Sequence, residues 1–122
     1  MRFARYTFAI AGIYGIVALV PQYFLEKQIG IDSAPAITHP EYFYGFIGVA
    51  LAFQVAFLII ARDPVRFRPI MPAAVLEKMA FVIPTFYLYF NGRAPLQITA
   101  GAAIDLLLAI LFTIAFIRTP KQ

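Results

Sequence analysis

The residues that could do chemistry in this chain are few, and most of them lie inside apolar stretches. Asp105 is the one charge in Gly101-Ala102-Ala103-Ile104-Asp105-Leu106, Glu77 and Lys78 stand side by side in a third apolar run, and Gln54 and Tyr14 lie within two others. A charged or amide group in hydrocarbon is costly, so each needs a partner or a function. The sole histidine, His39, cannot supply the paired axial ligands of a membrane haem, and no cluster has zinc spacing. Ser33 is the only serine, cysteine is absent, and neither a Gly-x-Ser-x-Gly elbow nor a Gly-rich phosphate loop occurs. Covalent catalysis, thiol redox chemistry, a metal centre and a cofactor therefore have no candidate residues.

The elements that must position these groups follow from composition. With 62% hydrophobic and 13% charged residues and a mean hydropathy of +0.82, the chain reads as lipid-embedded. Its 122 residues hold one domain, and a crossing takes roughly 20 apolar residues. Four spans fit, over about 6–25, 42–61, 73–90 and 97–117, giving an all-α, integral-membrane, four-helix up-down bundle. The third is the least apolar because Glu77 and Lys78 occupy its first turns. Thr38-His39-Pro40-Glu41 has capping-box spacing, with Pro40 in the first turn, so a helix should begin there. Asp63-Pro64 and the stretch from Pro69 to Pro72 break the chain before span three, and Asn91-Gly92 with Pro95 predicts a tight hairpin between spans three and four.

Charge sets the expected orientation. Arg2, Arg5, Arg62, Arg66, Arg68, Arg118 and Lys121 fall at one set of span ends, and only Lys27 and Arg93 at the other. The positive-inside rule then places both termini in the cytoplasm of an inner-membrane, multi-pass protein. The net charge of +4 is topological, not a nucleic-acid footprint, because the basic residues flank apolar spans instead of forming a stripe. Arg66-Phe67-Arg68, with Arg62, suits lipid headgroups of the bilayer. Ala34-Pro35-Ala36 has the form of a leader cleavage site, but the apolar stretch before it is too long for a leader and is expected to stay as span one.

At roughly 1.5 Å per residue from the cytoplasmic ends, Glu77 lies at about 6 Å, Lys78 at about 8 Å, Gln54 at about 10 Å and Tyr14 at about 12 Å. Thr85 and Asp105 lie near 18 Å and Tyr87 near 21 Å on the same scale, a second layer. Adjacent residues point about 100° apart, so Glu77 and Lys78 are not expected to pair. Two readings stay open: Lys78 snorkels to headgroups while Glu77 accepts from Arg62 or Arg66, or Glu77 joins Gln54 and Tyr14 around a small polar pocket. Asp105 is expected to bond Thr85 or Tyr87, or to contact a ligand. The pairs Gly12/Gly15 and Gly45/Gly48 both read as close helix packing.

His39-Pro40-Glu41, Tyr44-Gly45-Phe46, Gln54, Arg62-Asp63-Pro64 through Arg68-Pro69, Leu76-Glu77-Lys78 and Asp105 together resemble small bacterial inner-membrane proteins of the DoxX-like four-helix type. That resemblance implies a compact bundle and no assigned activity. A more distant similarity is to the EXPERA type of sterol-handling four-helix proteins, which implies an intramembrane cavity with acidic residues. The first functional expectation is a noncatalytic structural or accessory subunit, forming a homo-oligomer or joining other membrane subunits. The alternative is a binder or carrier of a small lipophile using Tyr14, Gln54, Glu77, Lys78, Thr85, Tyr87 and Asp105, which requires a cavity of roughly 300 Å³ or more. Proton or ion conduction would need polar groups across the gap between the two layers, and the gap argues against it.

Overall fold

Apolar runs bounded by prolines and polar turns become helices throughout the computed structural model, which describes residues 2–32 and 37–121. Ser33 and Ala34-Pro35-Ala36 lie outside the described residues. Among the described residues there is no strand, and five α-helices follow one another: α1 (Arg2–Leu19), α2 (Glu26–Asp32), α3 (Pro40–Arg62), α4 (Met71–Phe90) and α5 (Leu96–Arg118). Two 3₁₀ turns extend the set, Val20–Phe24 after α1 and Arg68–Ile70 before α4. With them, four segments of 23 residues each are long and apolar enough to cross a membrane. Each is about 34 Å long at 1.5 Å per residue, against a hydrocarbon core of about 30 Å.

The ends of these helices depart from expectation in two places. Pro40 does open α3, but His39 is the capping residue and no side chain bonds the free amides. Helix onset one residue late puts Glu41 out of register to reach back, and its Oε1 instead lies 3.2 Å from His39 Nδ1. The segment after Leu25, expected as loop, forms the short helix α2, braced by Gln28 Nε2 donating to Asp32 Oδ1 at 2.8 Å. Seven residues of mixed polarity carry too little periodicity to announce a helix. The predicted α4–α5 hairpin is present. Gly92 takes a left-handed φ of +71°, the Arg93 amide donates to the Leu88 carbonyl at 2.8 Å, and the Gly92 amide to Tyr89 at 3.0 Å. Those two bonds are the helix-ending pattern that glycine permits at this position.

Packing around the ring of four long helices is uneven. α1 lies along α3, α4 along α5, and α1 touches α5, whereas α3 and α4 meet over little of their length. Where α3 and α4 do converge, beside the Arg62–Arg68 connection, an apolar core forms from Phe8, Ala11, Phe57, Ile60, Met71, Phe112 and their neighbours. Phe8 stacks on Phe112 at 4.3 Å and Phe57 meets Phe112 edge-on at 4.9 Å, all three fully buried. A smaller cluster of Leu19, Ile47 and Ala50 sits toward the other end. Above the aromatic core α3 and α4 diverge, and the polar residues of α4 lie at that divergence.

Candidate functional site

Lys78 is the centre of the polar group. Its side chain is 4% exposed, and Nζ lies 3.3 Å from Asp105 Oδ1 on α5 and 3.7 Å from Glu77 Oε2. The Phe57 ring centroid is 5.3 Å away, within range of a cation–π attraction. The snorkelling reading of Lys78 is thereby corrected, and so is the expectation that neighbouring Glu77 and Lys78 stay apart. A long, flexible lysine stem swings back far enough to reach the adjacent carboxylate. Lys78 and Asp105, expected in separate layers, also meet. Helical turns begin at Arg68 and not near Ala73, which carries Lys78 about 9 Å deeper at 2.0 Å per 3₁₀ residue and 1.5 Å per α residue. That shift brings the amine level with Asp105. The pairing of Lys78 with Asp105 makes no continuous polar chain, and the buried Phe8, Phe57 and Phe112 rings close the core beside this group.

The remaining expected residues divide. Gln54 is 1% exposed, and its Nε2 donates to the Ala50 carbonyl at 2.7 Å while Oε1 has no partner. It faces α1, where a Cβ on Gly15 would strike the Gln54 amide and one on Gly12 would lie 2.9 Å from the Gln54 carbonyl oxygen. Gln54 therefore fills a glycine-made slot between α1 and α3. Tyr14 is 39% exposed on α1. Thr85 is buried on α4, while Tyr87 is 68% exposed and turned away from Asp105; neither donates to that carboxylate, whose hydrogen-bond donor is Lys78.

Arg62 and Arg66 are exposed at the α3–α4 connection, beside a cavity of about 310 Å³ that also touches Ile59, Asp63 and Phe67. The Arg66 amide donates to Asp63 Oδ1 at 3.3 Å, and neither arginine reaches Glu77 among the described ion pairs. Arg68 is different from these two. Its Nε donates to the Phe116 carbonyl at 3.1 Å and the Thr119 carbonyl at 2.8 Å, and its guanidinium lies 3.8 Å from the Phe116 ring centre. It caps the end of α5, where carbonyls lack intrahelical donors.

The divergence of α3 from α4 leaves a laterally open cleft of about 610 Å³, lined on α3 by Glu41, Tyr42, Gly45, Phe46, Val49, Ala50 and Phe53 and on α4 by Glu77, Ala80 and Phe81. From Tyr42 to Phe53 its α3 wall runs about 17 Å. Phe46 and Phe81 approach across it with ring centres 5.6 Å apart. Glu77, 15% exposed, carries the deep carboxylate, and its buried Oε2 accepts no hydrogen bond. An ammonium at 3.7 Å is beyond hydrogen-bond distance. Pro84, inside α4, has no amide hydrogen, so the Ala80 carbonyl on the cleft wall loses its usual intrahelical donor.

Comparison with protein-family models, with curated proteins and with solved structures finds no match to this chain. The DoxX-like and EXPERA-like resemblances accordingly transfer no residue, and the site is read from its own chemistry. Of the expected candidates, the structure gathers Glu77, Lys78 and Asp105, leaves Tyr14 exposed on α1, and assigns Gln54 to another seam. The cleft residues Gly45, Phe46 and Phe81 were not singled out as a site. The spacing of Tyr42, Gly45, Phe46, Val49 and Phe53 does mark one helical face, but the same spacing describes any packed face. Among the described residues no cluster of His, Cys, Asp and Glu could hold a metal ion.

Proposed function

We propose that this chain is a noncatalytic, multi-pass inner-membrane protein, with both termini in the cytoplasm, that holds a small lipophile in the α3–α4 cleft. The observation that carries this reading is the cleft itself: about 610 Å³ of mostly apolar space with a carboxylate at its deep end. Ligand pockets typically occupy about 300–1,000 Å³, with apolar walls and a few polar groups that orient the ligand. A bundle built only to pack, as an accessory subunit would be, gains by closing every seam, because helix association in lipid depends on close contact. Here three seams are closed and one is open. The exposed Arg62 and Arg66 would meet anionic lipid phosphates at the cytoplasmic face, while Arg68 holds α5. Orientation rests on the excess of Lys and Arg at that end.

Gly45 offers the cleanest test. A Cβ there meets nothing within 4 Å, so the side chain of Gly45→Leu starts into open space and takes up cleft volume. Purified in mild detergent, the protein should retain a lipophile at 1:1 stoichiometry in native mass spectrometry, and Gly45→Leu should reduce that retention about tenfold. Equal retention by the two proteins would remove the cleft from consideration. The absence of cysteine lets single cysteines at Asn91 and Lys121 report orientation by their labelling from outside the cell; labelling at Lys121→Cys would reverse it.

A further inference from the structure

Resting on the cleft reading, we infer that the ligand is a lipophilic cation: an amine or quaternary ammonium on an apolar body, with its charge set against Glu77. The argument begins with a local charge count. Two carboxylates, Glu77 and Asp105, share the single ammonium of Lys78. Lys78 hydrogen-bonds Asp105, and its contact with Glu77 is longer. Glu77 is thus the less compensated of the two acids, and its buried Oε2, on the side of Lys78, accepts no hydrogen bond. It is also the only member of the three that lines the cleft.

The rest of the cleft has the same preference. Its other carboxylate is Glu41, near the α3 start, and among the described residues no lysine or arginine lines it. Phe46, Phe53, Phe81 and Tyr42 supply ring faces, which attract cations when water is displaced. An anionic head would meet two carboxylates and no cationic side chain in the cleft lining. A neutral lipophile would satisfy the walls and leave Glu77 as it is. A monocation satisfies both, because it brings the deep group of Glu77, Lys78 and Asp105 to charge balance.

Three fluorescent probes that share one body separate these cases: trimethylammonium-diphenylhexatriene, uncharged diphenylhexatriene and its propionic acid derivative. Saturable binding to the full chain in mild detergent is measured by anisotropy and by native mass spectrometry. The cation should bind at least tenfold more tightly than the neutral probe, and the acid most weakly. Glu77→Gln should bring the cation down to the affinity of the neutral probe while neutral binding stays unchanged, which also verifies that the variant keeps its cleft. Asp105→Asn provides an independent check, since Lys78, freed from its hydrogen-bonded acid, turns to Glu77 and should weaken cation binding although residue 105 does not line the cleft. Equal affinity for cation and neutral probe overturns the charge preference and leaves the cleft reading standing. Binding of none of the three overturns both.

Discussion

α3 carries two faces that use glycine in opposite ways. Against α1, Gly12 and Gly15 let the helices approach until Gln54 and Leu58 fill all the room a side chain would need. Toward α4, Gly45 has the same kind of spacing to Gly48 and no neighbour within 4 Å of its missing Cβ. Gly48 is intermediate, with the Tyr23 hydroxyl at 3.3 Å. Gly12 and Gly15 make contact possible, and Gly45 leaves space empty. Small residues at helical spacing thus indicate where a backbone is bare, and only the position of the next helix decides whether that bareness is used for packing or for a cavity.

What sets α4 apart from α3 is its attachment to α5, and the largest expected effect tests that attachment. Lys78→Met leaves Asp105 and Glu77 partly buried without a counter-ion, and removing one partner of such a pair costs about 3–5 kcal/mol. A thermal melt in detergent should register that loss, and the double variant Lys78→Met with Asp105→Leu should recover most of it; equal melts for wild type and Lys78→Met would mean the pair does not hold α4 in place. Next in size is Gly12→Val, which forces a branched side chain against the Gln54 backbone and should destabilise by about 1–3 kcal/mol, as overpacked cores do. An unchanged denaturation midpoint would show that the α1–α3 seam has slack. The smallest is Gly45→Ala on the open face. Alanine loses less chain entropy in a helix, so stability should rise by about 0.5–1 kcal/mol. A fall there would mean that the cleft closes in solution, and the contrast between the two faces would go with it.

The four long helices could be read from the chain because hydrocarbon thickness imposes a length that composition reports directly. Asp105, Glu77 and Lys78 were also legible as residues needing an account, since a charge within an apolar run stands out wherever it falls. Their association was not. It depends on where α4 starts, and the prolines at Pro69 and Pro72 read as breakers when they in fact occupy the first turns, where a missing amide hydrogen is tolerated. An error of five residues at that boundary divided one cluster into two layers. The cleft was less legible still, for it consists of contacts that α3 and α4 do not make, and apolar spacing on each helix looks alike whether the opposing wall is touching or not. Arg68 illustrates a third difficulty: its two carbonyl partners lie 48 and 51 residues later, beyond any local pattern.

The five-residue turn from Asn91 to Pro95 has a consequence for how the molecule is made. Lys78 emerges from the ribosome 27 residues ahead of its hydrogen-bonded acid Asp105, so if α4 crosses a membrane only the neighbouring Glu77 offsets the ammonium until α5 has been synthesised. A sharp reversal with a glycine at its apex delivers α5 alongside α4 as soon as it appears, and the two can leave the insertion machinery as a single hairpin. Lengthening the turn would prolong the interval in which Lys78 lacks Asp105, so the reversal's shortness would matter to assembly as well as to the finished fold.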